Sequence, residues 1–338
     1  MKTIFIKIIF IYFLLFPIYL FAQDDFSPQG TYQAALSPNM GRARVIEKTL
    51  DKMELEVGIG IGCLNGYTSY KIDFPVDIYT GRSKLDFPIG NLLAGGNILL
   101  GRHPFYLNLQ GWTNISKNTD GEVKDKDWLD WWNFSSTESD ADAQMAILDL
   151  SLLYNFWQKD EPRGDVLGFL IGYKYENFKY DIIGVRDAFT GENYYSGKAS
   201  DYKINYQIPY VGFNWQHYAG VVDKLLDGWG LNVLVCGSPY VVAKDRDDHI
   251  LRNKVMHGKA KGYAFLLGLN TFFNTKNHWR CRLGVDYTDI STDGKQRQYQ
   301  YGDDPGTLED DTGESIEDIN LKIESSQLLF WGQLQYKF

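Results

Sequence analysis

Residues 325–338 read SSQLLFWGQLQYKF. Side chains alternate between the two faces of a β-strand, so Leu328, Phe330, Gly332, Leu334, Tyr336 and Phe338 share one face. Gln327, Gln333, Gln335 and Lys337 share the other with Leu329 and Trp331. One face suits lipid or an apolar core, and the other suits a polar interior. Comparable alternation runs through 54–64, 84–100, 104–116, 143–156, 165–181, 203–217, 229–243, 260–273 and 278–290, which with the terminal segment makes ten predicted strands. An even number of strands, each of roughly 9 to 11 residues, is what a single-chain bacterial outer-membrane barrel needs. A last strand ending on an aromatic residue matches the terminal signature that the barrel-assembly machinery receives.

The connections between these segments fall into two classes. Residues 101–104, 157–164, 223–228 and 274–277 are short, whereas 65–83, 117–142, 182–202, 244–259 and 291–323 are longer and mostly polar. The classes alternate, as short periplasmic turns and longer outward loops must when every strand reverses direction. A soluble β-sandwich could supply ten strands but has no need of this alternation. The expected fold is therefore all-β, a ten-stranded antiparallel transmembrane β-barrel.

The opening MKTIFIKIIFIYFLLFPIYLFAQDD carries Lys2 and Lys7 and an apolar run through Ala22. From Ile8 that run is about 15 residues, short of the roughly 20 of a spanning helix, and it reads as a signal peptide over 1–22 cleaved before Gln23. The expected organisation is that leader, a lead segment over 23–49 and the barrel over 50–338. A net charge of −9 argues against a nucleic-acid partner, which calls for a basic surface, and suits a cationic ligand. Cys63, Cys236 and Cys281 each fall within a predicted strand, and an odd count of three is no disulfide framework; packing is their expected role. The sequence contains no His-x-x-x-His or Cys-x-x-Cys unit and no glycine-rich phosphate cradle, so neither a zinc site nor a cofactor is expected.

Two acidic stretches could carry chemistry. In VVAKDRDDH (241–249), Asp245, Asp247 and His249 share a face if the strand continues past its apolar part, while Arg246 and Asp248 face the other way. An aspartate beside a histidine can hold the ring in one tautomer and support its protonated form, which makes His249 a candidate general base. In GEVKDKDWLDWWNF (121–134), Asp125 and Asp127 share a face, with Asp130 nearby, and two close carboxylates cannot both ionise freely. Each stretch also has a plain reading: polar residues arrive wherever a barrel strand leaves the bilayer, and Trp128, Trp131 and Trp132 fit an aromatic girdle. If the barrel brings both strand ends to its mouth, a water held between the pairs could attack a peptide carbonyl without serine, cysteine or metal.

At these residues the chain resembles the omptins, outer-membrane endopeptidases of Gram-negative bacteria. The likeness rests on VKDKDWLD at 123–130 and DRDDH at 245–249, with LNLQGWT at 107–113 and the closing LQYKF, in the same order from about residue 50 to Phe338. It implies a narrow barrel protruding above the outer membrane with a groove at its outward mouth. It further implies catalytic pairs Asp125 with Asp127 and Asp247 with His249. His249 would be the base, Asp247 its orienting partner, Asp125 the holder of the attacking water and Asp127 its support. Substrates would be proteins or peptides cut near basic residues, and lipopolysaccharide would be required for activity. Asp245 matches an acidic residue that receives the substrate's basic side chain, but its acidic companion is replaced by Tyr70 in GYTSYKID (66–73).

A loop reading of SSTESDADAQ (135–144), which lacks the family's His-Pro pair, predicts a different groove wall. His217, His103 and His278 fall at short turns and read as structural, while His257 falls on the outward side, where a groove would form. The competing reading is a non-enzymatic barrel acting as an adhesin, invasion factor or structural protein.

Overall fold

The computed structural model describes residues 53–76, 79–159, 164–220, 226–275, 277–305 and 310–338. The expected leader over 1–22 and lead segment over 23–49 lie outside the described residues. All described residues belong to one compact unit, Thr49–Phe338, and nearly all are strand. In chain order the strands are β1 (Glu54–Val76), β2 (Tyr79–Pro88), β3 (Asn91–Arg102), β4 (Phe105–Asn114), β5 (Val123–Leu129), β6 (Trp132–Gln158), β7 (Gly164–Asp187), β8 (Asn193–Gly220), β9 (Leu226–His249), β10 (Lys254–Thr275), β11 (Trp279–Gln300) and β12 (Ser315–Lys337).

Every strand pair is antiparallel and all lie in one sheet, whose order runs from β12 down to β6, then β4, β3, β1, β2 and β5. Two further pairings, β12 with β1 and β6 with β5, join strands from far apart in that order. Near the short turns, β1 is flanked by β12 and β3; near the other end, the paired strands β2 and β5 stand in place of β3 and β4.

The sheet thus has twelve strands, not the ten expected. The predicted segment 84–100 is broken at 89–90, because Pro88 offers no N–H to a ladder and the chain leaves β1 at Pro88 and rejoins it at Asn91. The five longer polar connections were expected as loops, and here too the structure differs. Most of their residues extend the strands: 65–76, 132–142, 182–187, 193–202, 244–249, 254–259, 291–300 and 315–323 all lie within strands. SSTESDADAQ is accordingly the start of β6 and not a loop. Periodicity fades in these extensions because the exposed side chains become polar, leaving only buried residues such as Tyr202 and Ile204 to mark the pleat. True reversals are brief; at 188–191, for example, Asp187 Oδ1 accepts from the backbone N–H of Phe189 at 2.8 Å and of Thr190 at 2.7 Å.

The two faces are sorted in the reverse of a water-soluble protein. Towards the short-turn end the exposed face carries Ile59, Ile61, Leu148, Ile171, Phe213 and Leu267, while Glu56, Asn97, Glu176, Gln327, Gln333 and Gln335 are buried. Several of the buried polar groups engage one another. Lys174 Nζ lies 2.7 Å from Glu176 Oε1 and donates to Thr288 Oγ1 at 2.9 Å; Gln327 Nε2 donates to Glu176 Oε2 at 2.7 Å, and Trp331 Nε1 to Asp286 Oδ2 at 2.7 Å. Further along, the interior turns apolar: Phe87 stacks on Tyr202 with centroids 4.0 Å apart and leans on Tyr180 at 5.2 Å. This aromatic layer underlies the acidic residues that follow.

Cys63, Cys236 and Cys281 are free thiols. His217, at the short-turn end, has Nδ1 2.9 Å from Asp165 Oδ1 and its ring between Trp215 and Trp229, consistent with a structural role. The Glu176 carboxylate is fully buried beside Lys174, so removing it leaves a buried ammonium without its counter-charge. Glu176→Ala is expected to cost about 3–5 kcal/mol of stability; a loss under about 1 kcal/mol in denaturant unfolding of the folded protein in detergent would show that the pair does not hold the interior together.

Candidate active site

β9 keeps its pleat to its last residue. Asp245 and Asp247 are buried and His249 is partly so, while Lys244 and Arg246 are exposed. Arg246 Nη2 reaches Asp248 Oδ2 at 3.0 Å on the other face. His249 Nε2 lies 3.1 Å from Asp247 Oδ2, with side-chain exposures of 22% and 1%. The imidazole is thus open to solvent while its carboxylate is sealed. Asp247 Oδ2 has no aligned hydrogen bond, so the contact is an ion-pair approach that a small ring rotation would align; such looseness is common in sites without substrate. The other oxygen, Oδ1, accepts from Ser200 Oγ at 2.6 Å.

Asp125 comes to this place from a different wall. β5 is bracketed by β2 and β6, and Asp125 stands opposite Leu85 on one and Thr137 on the other. Burial, and after it the Asp127 carboxylate, pushes the Asp125 carboxyl up to about 7, while His249 and Arg252 act in the opposite sense and Asp247 adds to the rise. β5 does not pair with β9. Side chains of the two strands therefore sense each other across the interior: Asp125 feels Asp127 on its own strand and, from β9, His249 and Asp247. Asp130 does not join them; it holds the β2–β5 end, its Oδ1 accepting from Thr80 N–H at 2.9 Å.

Below them lies Asp245, also pushed up to about 7, by burial first and by Asp247 second. Neither of its carboxylate oxygens has a hydrogen-bond partner. Gly258 stands directly opposite on β10, and a Cβ there would fall 2.0 Å from Asp245 Oδ1, so only glycine leaves room for the carboxylate. Tyr70, fully enclosed, donates its phenol to Gln296 Oε1 and lies 3.9 Å from Met256 Sδ. Burial, then Asp245 and Asp247, raise its ionisation well above the usual tyrosine range, so Tyr70 stands near Asp245 as a neutral phenol. His257, in contrast, sits on the exposed face between Arg246 and Arg297 and does not line the site.

Sequence reading missed three participants. Ser200 lies opposite His249 on β8 in a segment expected to be loop, so nothing indicated its register. Gln296 reaches the site from β11. Lys254, opposite His249 on β10, is held below the usual lysine range by burial and then by Arg252, with Asp304, Asp247 and Asp127 opposing them.

Comparison with known proteins agrees with this arrangement at the level of family and fold. The crystal structure of the outer membrane protease OmpT from Escherichia coli superposes with a TM-score of 0.65 at 16% identity, covering 86% of this chain and 98% of that one. At that identity the likeness speaks for the fold: one large sheet arranged as in that barrel. A plasminogen activator of Yersinia pestis is 26% identical over 203 residues, 56% of this chain and 62% of that protein, so the matched region spans less than two thirds of the relative. The sequence pattern of the omptin family runs through residues 51–324, which takes in both acidic stretches and all but the last of the strands, and the chain belongs to that family.

Proposed function

We propose that this protein is an endopeptidase of the outer membrane, a ten-stranded antiparallel transmembrane barrel extending above the bilayer with its site at the outward mouth. Counting ten strands at any level treats β2–β5 as the upward replacement of β3–β4. The exposed apolar band of the short-turn end is the surface such a barrel offers to lipid. Tyr240 and Tyr263, exposed on β9 and β10, mark its boundary, with Lys261 Nζ 5.5 Å from the Tyr240 ring centroid. Beyond them the exposed face turns basic: Lys244 stands opposite Lys259, and Lys203 opposite Arg246. A basic belt just outside an aromatic boundary suits the phosphates of lipopolysaccharide, which would act here as activator; proteolysis itself calls for no cofactor.

The observation that carries the reaction is the His249–Asp247 approach at 3.1 Å with Asp125 acting on the same space from the facing wall. In this reading a water held by Asp125 gives its proton to His249 as its oxygen bonds to the peptide carbonyl carbon. Asp247 stabilises the imidazolium, and Asp127 supports Asp125. His249 then returns the proton to the leaving amine as the C–N bond breaks. The unpartnered carboxylate of Asp245, with Tyr70 beside it, receives a cationic side chain of the substrate next to the cut, and protein or peptide substrates of basic character follow.

Digestion of a peptide library by the folded protein in lipopolysaccharide tests this reading. Asp125→Asn and His249→Ala are each expected to lower cleavage by about 100-fold or more; equal cleavage by parent and both variants would sink it. Ser200→Ala, which strips the hydrogen bond from Asp247, is expected to lower kcat about tenfold, and an unchanged kcat would remove Ser200 from the site. The pH profile gives a further check. Asp125 ionises as pH rises through about 7, because burial and the Asp127 charge hold its proton, and only the carboxylate holds the water, so kcat/KM should rise there. Asp127→Asn deletes the like charge and lets Asp125 ionise sooner, moving the acid limb of the residual activity to lower pH. A limb that stays in place would assign it to another group.

A further inference from the structure

The groups that activate water in the proposed reaction are three carboxylates and an imidazole, and none of them can neutralise the negative charge that grows on the carbonyl oxygen. Lys254 is placed to do so. It is the first residue of β10, directly opposite His249 on one side and Gln300 on the other. Residues directly opposite in an antiparallel pair project from the same face, so Lys254 shares the inward face with His249. The next inward pairs are Met256 with Asp247 and Gly258 with Asp245. The ammonium lies in the field of Asp304 and of one member of each acidic pair, Asp247 and Asp127, without a close ion pair among the described residues.

The turn that delivers Lys254 is held firmly. Residues 250–252 form one 3-10 turn, and Asn253 reverses the chain in the left-handed region at φ 49°. Asn253 Nδ2 donates to Asp303 O at 2.8 Å, and its own carbonyl accepts from Tyr301 N–H at 2.9 Å and Gly302 N–H at 3.2 Å. Gln300 Nε2 donates to Arg252 O at 2.6 Å. Lys254 does not occupy the seat of the substrate's cation: Gly258, which faces Asp245, is four residues further along β10, roughly 13 Å at the rise of a strand.

We propose that Lys254 is the electrostatic partner of the two acid-base pairs, its ammonium donating a hydrogen bond to the oxyanion that forms when water attacks the scissile carbonyl. The assignment rests on the endopeptidase reading of the site. As the water oxygen bonds to carbon and its proton passes to His249, the carbonyl π pair moves onto oxygen, where Lys254 donates an N–H and keeps its proton. When the C–N bond breaks, that pair re-forms the carbonyl and the leaving amine takes the proton from His249. Lys254 ends each turnover as it began.

The test is steady-state cleavage of one peptide by the full-length folded protein in lipopolysaccharide, comparing parent, Lys254→Met, Lys254→Gln, Lys254→Arg and His249→Ala. Loss of the charge is expected to lower kcat by about 100-fold or more with KM within about threefold, and Lys254→Arg is expected to retain kcat within about tenfold of the parent. Lys254→Gln keeps the chain length and polarity, and gives the answer if Lys254→Met does not fold. A phosphinic peptide, an anionic mimic of the tetrahedral species, should lose affinity in the uncharged variants, whereas a reduced-amide peptide should not. An uncharged variant with kcat within threefold of the parent, or an arginine variant that falls as far as the methionine one, overturns the assignment. Cleavage that survives Lys254→Met but not His249→Ala overturns it alone; a parent that cleaves nothing, or cleavage that survives His249→Ala, overturns the endopeptidase reading and this assignment with it.

Discussion

The pairing of β1 with β12 is the constraint on which the rest depends. Its register runs without a slip from Glu56 opposite Lys337 to Asp73 opposite Asn320, and it gives the first and last strands a partner on both sides. Because side chains repeat every two residues, a shift of one residue in any ladder would turn a whole strand inside out. Here such a shift would bury Ile59 and Ile61 and expose Glu56. The register that seats the apolar band is therefore the same one that, further along each strand, points Asp125, Asp245, Asp247 and His249 inward. Function at one end is set by burial at the other.

The interior reflects the solvent outside it. With apolar side chains committed to the exposed face, the buried face of the short-turn half must be polar, and every charge there needs a partner. Lys174 with Glu176 and Arg280 with Glu56 meet that need at 2.7 and 2.8 Å. Above this layer, Phe87, Tyr180 and Tyr202 exclude water from beneath the site. Tyr202 stands beside Asp247 on the neighbouring strand, so the carboxylates of the candidate site meet aromatic floor below and solvent above. That asymmetry explains how Asp125 and Asp245 hold protons to about 7 while the His249 ring stays accessible.

Legibility in the sequence followed the contrast between faces. SSQLLFWGQLQYKF reads directly because its exposed face is apolar and its buried face rich in glutamine, and the structure places Gln327, Gln333 and Gln335 inside as the alternation requires. Above the band, exposed and buried positions are both often polar, so the same pleat continues without a pattern that separates strand from loop. The short DRDDH run escaped this because its alternation begins within an apolar segment, and VKDKDWLD because its two aspartates are a pleat apart. Ser200, Gln296 and Lys254 had no such anchor. Each enters the site through a cross-strand register between segments distant in sequence or read as loop, which no local pattern encodes.

The neutral phenol of Tyr70 beside Asp245 has a physical consequence that a second acid there would not have. A second buried carboxylate beside Asp245 would add like charge to a place that already holds Asp245, Asp247 and Asp125, each of which raises the ionisation of its neighbours. A phenol removes that repulsion and donates a hydrogen bond, and in this chain Tyr70 spends its proton on Gln296. Asp245 is left with two unpartnered oxygens and a glycine wall, so in the proposed reading the ligand brings both the charge and the hydrogen bonds. A compact ammonium can satisfy one carboxylate from a single direction, whereas a guanidinium presents a planar fork that is best matched by a carboxylate approached edge-on or by two acids. With one acid beside a neutral phenol, Asp245 is spared the repulsion of a second buried carboxylate, which lowers the cost of keeping its own carboxylate buried.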